Sequence, residues 1–322
     1  MLRSTVRCFS CLYRNSSPMG NRHCFPMVYI FPVMVLFLMP FILAGPVQAR
    51  TFQEILKSGE LRVCFAPIHP SVVQAEPGGC RDDCRFSGPA FEAAQAFADF
   101  LGESLTLRSL CIDWEEQFFN DQGSTDRDAS YVPILLDSGR CDIYPNNLTK
   151  NTWRLRKMDI VTMFTNRMMV LVNAGSQSTI RDPSQLGGKI AAVEKDTSYH
   201  TWLQEGNRTI FKDKPVDIRL QSTADALKNV AQGRADFTII DADAAFWIIR
   251  HQFPDLIMAF PVGSMEEVGW GIAKGNPELA QALQNFFNEQ RAGRNSALNM
   301  IWNRHFGMNL NQFIGLLGSM QE

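Results

Sequence analysis

The sequence predicts an α/β protein built as two successive units of similar rhythm, and three observations carry that prediction. Short apolar strands alternate with helices of apolar periodicity. The alternation runs once from Leu61 to Tyr144 and starts again at Lys189. Of the 322 residues, 273 remain once an N-terminal leader of 49 is set aside, which is enough for two ordinary domains.

The leader comes first in the chain. Residues 1–49 hold Arg3, Arg7, Arg14 and Arg22 but no Lys, Asp or Glu. An apolar stretch from about Met27 to Ala44 follows, interrupted by Pro32 and Pro40, and Val47-Gln48-Ala49 supplies the small residues of a cleavage site. A basic start, an apolar middle and a small-residue exit describe a secretory signal. The alternative is an uncleaved membrane anchor, and the prolines and the exit weigh against it. The long basic lead leaves Met19 and Met27 open as true starts.

In the first unit, Leu61–Phe65 reads as a buried strand. Gly88 to Leu101 is a helix with Phe91, Ala94, Phe97, Ala98 and Leu101 on one face and Gly102 as its stop. Leu105–Cys111 is a second strand. The polar, acidic stretch from Asp113 to Tyr131 is a loop without the pattern of a calcium site. Val132–Leu136 is helical, Ser138-Gly139 ends it, and Cys141–Tyr144 opens another strand. The second unit repeats the theme. Lys189–Val193 is a strand, Thr197–Glu205 a helix, Val216–Leu220 a strand, Ala224–Gln232 a helix ended by Gly233, and Phe237–Ile240 a strand. Pro277 to Phe306 is mostly helical, with Phe286, Phe287 and Trp302 free to pack on a sheet. Alternation of this kind argues for parallel sheets covered by helices.

Without the leader, 27 basic residues face 33 acidic ones and no Lys/Arg run stands out, which excludes a nucleic-acid surface. No second apolar stretch is long enough to span a bilayer. Cys8, Cys11 and Cys24 leave with the leader, while Cys64, Cys80, Cys84, Cys111 and Cys141 stay, an odd set in which at least one thiol has no partner within the chain. Cys80 and Cys84 enclose only Arg-Asp-Asp, so a local bridge is expected. A zinc site there is the alternative, but no second Cys or His pair stands at ligand spacing. No metal or cofactor is expected.

Enzyme templates fail: the chain has no HExxH, GxSxG or P-loop. Gly269-Trp270-Gly271 reads as plain strand, and Glu115/Glu116 as a solvated face. His69, His200, His251 and His305 are scattered and read as structural or exposed. Certain polar residues are better placed. Asn147, Thr149 and Arg154 follow directly on the strand at Asp142–Tyr144, Asp241 ends the strand Phe237–Ile240, and Asp196-Thr197-Ser198 lies between a strand and a helix start. Ligands of open α/β sheets sit outside such carboxyl ends. A helix N-terminus and an arginine fork suit a carboxylate, and an opposed Asp suits an ammonium, so together they describe a zwitterion clamp. On spacing alone, a surface ion-pair role for Arg154 and a helix-capping role for Asp241 are favoured instead.

At these residues the sequence resembles the polar amino-acid solute-binding proteins of bacterial uptake systems (extracellular solute-binding family 3). Within that family it is most similar to the variant that forms the non-catalytic front half of membrane-bound lytic murein transglycosylases. The resemblance spans about residues 58–308 and is carried by "SGELRV", "GPAFEAAQAFADFLG", "LLDSGRCDIYPNNLTKNTWR", "DPSQLGGKIAAVEKDTSYHTWL", "ALKNVAQGRADFTIIDAD" and "GWGIAKGNPELAQALQNFF". It implies a type II periplasmic-binding-protein fold, two α/β lobes joined by two crossover strands. Lobe one would hold residues 50–166 and 265–322, and lobe two residues 167–264. It further implies Arg154 as carboxylate ligand, Asp241 as ammonium ligand, hydroxyls from Thr197 and Ser198, contacts from Asn147 and Thr149, and an aromatic wall near Phe65 and His69.

Departures accompany the likeness. Asp196 stands where the family usually has Gly before the hydroxyl pair, His69 where a wall aromatic is usual, Asn151 where the Thr of T-x-x-R is usual, and Asn147 where a serine-type contact is usual. The resemblance implies a periplasmic protein that captures an amino-acid-like ligand and passes it to a membrane permease or a sensor. No enzyme activity is expected, and peptidoglycan cleavage least of all, because the transglycosylase domain would begin near residue 308. Two alternatives stay open: an exported enzyme of the cyclohexadienyl dehydratase kind, with Glu194 or Asp196 as general acid, and a ligand-independent accessory of a periplasmic dehydrogenase.

Overall fold

The computed structural model describes residues 48–102, 105–176 and 179–319. The expected signal, apart from Gln48 and Ala49, lies outside these residues.

Helix α1 (Phe52–Ser58) opens on a capping box in which Thr51 and Glu54 each accept the other's backbone N–H, and it leads into strand β1 (Glu60–Phe65). A hairpin that periodicity did not suggest follows, β2 (Gln74–Glu76) with β3 (Arg85–Ser87). Helix α2 (Pro89–Leu101), strand β4 (Thr106–Cys111), the short turns α3 (Ile134–Asp137) and α4 (Thr152–Leu155), and strand β5 (Ile143–Thr149) complete the first unit. Strand β6 (Met158–Asn173) leads out of it. The second unit runs β7 (Ile190–Val193), α5 (Ser198–Arg208), β8 (Asp217–Leu220), α6 (Thr223–Ala231), β9 (Thr238–Asp241) and α7 (Ala242–His251). Strand β10 (Leu256–Ala273) returns, and helices α8 (Pro277–Ala292), α9 (Ala297–Phe306) and α10 (Leu310–Ser319) pack behind it.

The main sheet has the order β4-β1-β5-β10-β6-β9. β1 runs parallel to β4 and β5, as the alternation predicts, but β10 is antiparallel to both β5 and β6, and β9 is antiparallel to β6. The expectation of wholly parallel sheets is therefore corrected to a mixed sheet. The cause is the two long strands: one carries the chain out of the first unit and the other brings it back, so they meet head to tail. Their pairing breaks between Val262 and Glu266, where Gly263 takes a left-handed φ of 66°. In the second unit β7 pairs in parallel with β8 and touches the Phe237 backbone in parallel through Ala191. Two α/β lobes joined by two crossover strands are thus the architecture, as expected.

Two hydrophobic clusters hold the described residues together, and the larger runs from α1 to α10 through both α/β units. Trp270, near the C-terminal end of β10, is fully buried against Phe97 of α2 and Phe287 of α8. It can lie there because Gly269 brings β10 and β6 into close approach: a Cβ at Gly269 would stand 1.9 Å from the Val161 carbonyl oxygen. A second cluster gathers Trp114, Phe118, Trp153 and the Cys64–Cys141 disulfide, which ties β1 to the start of β5 across 77 residues of chain. No helix among the described residues is long and apolar enough to cross a membrane.

Candidate functional site

Three strand-to-helix junctions open onto one cavity: β5 to α4, β7 to α5, and β9 to α7. All three present the carboxyl end of a strand, where backbone N–H groups and side chains are free to face a ligand.

The first junction delivers Arg154. The Asn151 side chain accepts the Arg154 N–H at 3.2 Å and so starts the turn α4. Arg154 is only 1% exposed. Its Nη1 donates to the Thr149 carbonyl at 3.0 Å, its Nη2 reaches the Asp196 carbonyl at 3.5 Å, and its Nε has no partner among the described residues. The guanidinium carbon lies 5.3–5.6 Å from the rings of Trp114, Phe118 and Trp153. No carboxylate of the described residues comes within 4.0 Å of it. Burial pulls its pKa down to about 10 against the pull of Asp241, yet at neutral pH the group stays a cation. A buried cation held only by carbonyls and ring faces is costly unless an anion completes it.

The second junction supplies hydroxyls and a helix N-terminus. Thr197 caps α5, its Oγ1 accepting the His200 N–H at 3.2 Å, and Ser198 Oγ stands 3.2 Å from Thr149 Oγ1. Ser198 and Tyr199, in the first turn of α5, line the cavity with Thr197. Asp196 precedes them at φ 61°, a left-handed conformation in which glycine is at home and Asp is tolerated. Its carboxylate is not a cavity residue. Arg127, from the acidic loop, donates to Asp196 Oδ1 through Nη2 at 2.7 Å and Nε at 3.0 Å, and to Thr201 Oγ1 through Nη1 at 3.0 Å. The negative charge that Asp196 brings in place of the usual Gly is therefore matched by a cation.

The third junction supplies anions. Asp241 occupies the N-cap position of α7 but makes no capping bond. Tyr199 Oη instead accepts the Asp241 N–H at 3.1 Å, and the Asp241 side chain lines the cavity. Burial pushes its carboxyl well above the usual range, with the neighbouring Asp243 and Glu266 adding to the effect. Asp243 is also a cavity residue and is 2% exposed; Asn166 donates to it at 2.8 Å and Asn147 at 3.2 Å. Asn147 reaches it from a left-handed φ of 49°.

Of the residues singled out from sequence, Arg154, Asp241, Asn147, Thr149, Thr197, Ser198 and His69 line this cavity. Phe65 does not. Its fully buried ring packs 4.9 Å from Phe86 and 5.8 Å from Phe91, on the side of β1 away from the ligand space. His69 does face the cavity, edge-on to Trp247 at 5.5 Å, and Ile68, Val72 and Trp114 share the apolar wall. Its Nδ1 accepts the Ser71 N–H at 3.0 Å, and burial pulls its pKa down to about 4, so the ring is neutral with its proton on Nε2. Glu194 does not line the cavity; it sits behind the lining residue Thr223, held by its N–H at 3.0 Å and hydroxyl at 2.6 Å. With Asp196 paired to Arg127, neither acid named for an enzymatic reading faces the ligand space.

Sequence reasoning missed Asp243, Tyr199 and Trp114, and it missed Arg127. The first carried a readable signal, since a second acid two residues after Asp241 sits in the same first helical turn. Arg127 in an acidic loop carried none. The Cys80–Cys84 bridge is formed, and Cys111 is the free thiol among the described residues.

No protein-family model matches the chain. It is 27% identical over 224 residues to the L-cystine-binding protein TcyJ of Escherichia coli (strain K12), covering 69% of this chain and 76% of the relative. It is 24% identical over 219 residues to the membrane-bound lytic murein transglycosylase F of Desulfosudis oleivorans, covering 68% of this chain and 44% of that protein, so it spans less than half of the transglycosylase. Among solved structures, an ancestral arginine-binding protein bound to arginine superposes with a TM-score of 0.62 at 19% identity, over 77% of this chain and 99% of the other. The chain is a homologue of the solute-binding proteins that include the L-cystine-binding protein and the front half of the transglycosylases, and its fold is that of the type II periplasmic amino-acid-binding proteins.

Proposed function

We propose that this chain is a periplasmic solute-binding protein that captures an amino-acid-like zwitterion between its lobes and releases it to a membrane permease or a sensor. One observation carries the reading. Arg154, buried and with no carboxylate within 4.0 Å, lines one cavity with the buried Asp243 and the half-buried Asp241, neither of which has a cation within 4.0 Å among the described residues. The α-carboxylate would take the Arg154 fork together with the Ser198 hydroxyl and the α5 N-terminus, and the α-ammonium would take Asp241. We place the lobe boundaries at 166/167 and 264/265, beside the break in β6–β10 pairing at Val262–Glu266. Closure would be stabilised because the ligand touches both lobes only in the closed state. Names of relatives support the class: one homologue is an L-cystine-binding protein, and an arginine-binding protein shares the fold.

The test is a calorimetric screen of the purified chain against the common amino acids, cystine and muropeptide fragments, with mass spectrometry of whatever co-purifies. Micromolar or tighter binding of an α-amino acid is expected. Binding of none, or of ligands lacking an α-amino-acid group, would refute the reading.

A further inference from the structure

Three sulfurs meet where the 80–84 loop packs on the end of β4. The Sγ atoms of Cys80, Cys84 and Cys111 all lie within 4.8 Å of one another, two of them joined as the Cys80–Cys84 disulfide and the third a thiol. The fold holds them there by bonds that do not involve sulfur. The Cys111 N–H, at the end of β4, donates to the Arg81 carbonyl inside the disulfide loop at 2.9 Å. The Arg81 side chain reaches back over the same segment and grips Glu116 through two bonds of 2.7 and 2.8 Å. The loop is therefore pinned to the stretch 111–116 at both backbone and side chain. A thiol kept that close to a disulfide is within reach of exchange, in which a thiolate attacks one sulfur and expels the other.

We propose that Cys80, Cys84 and Cys111 form an exchanging thiol–disulfide site, with one bridge distributed among three positions. In the step, the Cys111 thiol gives its proton to solvent base and the thiolate attacks Cys84 Sγ. The Cys111–Cys84 bond forms, the Cys80–Cys84 bond breaks, and the departing Cys80 thiolate takes up a proton. Attack at Cys80 Sγ releases Cys84 in the same way. One disulfide and one thiol stand on each side of the step, so no oxidant or reductant enters. The consequence is local but directed. A bridge to Cys111 anchors the 80–84 loop covalently to the end of β4, three residues before Trp114, which lines the ligand cavity. The site is chemically distinct from the Cys64–Cys141 bridge, which is buried in the core and has no third sulfur among the described residues within reach.

The experiment uses the oxidised chain, and labels and free thiols are counted over residues 50–322, which hold Cys64, Cys80, Cys84, Cys111 and Cys141. It is held at mildly alkaline pH without reductant, quenched in acid, labelled with a thiol-alkylating reagent and mapped by peptide mass spectrometry. One label per chain is expected, spread over Cys80, Cys84 and Cys111, with peptides cross-linked through Cys111 and no label on Cys64 or Cys141. Two variants sharpen the result. In Cys84→Ser a Cys80–Cys111 bridge should form and both thiols should disappear, and in Cys111→Ser the chain should show no free thiol. A label confined to Cys111 in the native chain, after incubation long enough to unfold and refold it, overturns the proposal. So does a Cys84→Ser chain that is folded by circular dichroism yet keeps two titratable thiols. A Cys84→Ser chain that does not fold leaves the native-chain map to decide.

Discussion

Arg127 clasps Asp196 through two donors on one carboxylate oxygen, at 2.7 and 3.0 Å, while its guanidinium lies 4.9 Å from the centre of the Trp153 ring. Trp153 also flanks Arg154, so one indole separates the clasp from the ligand-facing cation. The clasp joins the loop after β4 to the turn after β7, two segments that the proposed boundaries assign to different lobes. Lys157 steadies that loop from below, its Nζ donating to the carbonyls of Asp126 at 2.5 Å and Ala129 at 3.0 Å.

If the clasp helps hold the lobes together, Arg127→Ala should favour the open chain. Ligand affinity should fall about tenfold, chiefly through faster dissociation. The unliganded chain should show a larger radius of gyration by small-angle scattering. An unchanged affinity and radius would assign Arg127 to loop stability alone.

Arg154 offers a sharper test, because its charge and its shape can be separated. Arg154→Ala should weaken ligand binding by about 2–5 kcal/mol, the usual cost of removing one partner of a buried charge pair. Arg154→Lys keeps the charge but loses the fork and the fit between three ring faces, and should recover only part of that loss. Titration calorimetry on the folded variants reads both. Full recovery by lysine would show that charge alone matters.

His69 makes a pH prediction whose sign follows from its neutral, buried ring. Its folded pKa of about 4 lies below the unfolded value of 6.5, so its contribution to stability is present above pH 6.5 and is lost as pH falls toward 4. At most about 3 kcal/mol is at stake. Asp142 works in the opposite sense: burial raises it to about 6, so it favours folding at low pH and loses that contribution as pH rises through 6. The two partly cancel in the native chain, and the measurement is therefore a difference. The stability gap between native chain and His69→Gln, from urea unfolding, should shrink as pH drops from 6.5 to 4. A gap independent of pH would contradict a neutral His69.

Gly269→Ala should be severely destabilising, by at least about 3 kcal/mol, because the new methyl would collide with the Val161 backbone rather than with a movable side chain. Gly315→Ala in α10, where nothing lies within 4 Å, is the control and should be neutral or slightly stabilising. Comparable melting temperatures for the two would refute the close approach of β6 and β10.

Much of the architecture was legible in the sequence, because period-2 and period-3.6 patterns mark strands and helices directly. The order of β1, α2, β4, β5 and of β7 through β9 follows from them. The antiparallel meeting of β6 and β10 does not, since a long buried strand carries no mark of its partner's direction. Within the site, residues at strand ends such as Thr149, Thr197 and Asp241 were legible because their position in the chain sets which way they face. Phe65 was misplaced because strand alternation puts adjacent side chains on opposite faces, and the likeness located the neighbourhood but not the face. Arg127 was invisible: its partner lies 69 residues away, and only the folded loop brings them together.

The central claim is that one cavity reads both ends of a zwitterion, and analogue calorimetry tests it most directly. Once an α-amino acid ligand is found in the screen, the same titration is repeated with its methyl ester and with its deaminated carboxylic acid. Each analogue should bind at least about a hundredfold more weakly, since each strands one buried charge without its counterion. Equal binding of either analogue would mean that Arg154 or Asp241 does not hold the end assigned to it.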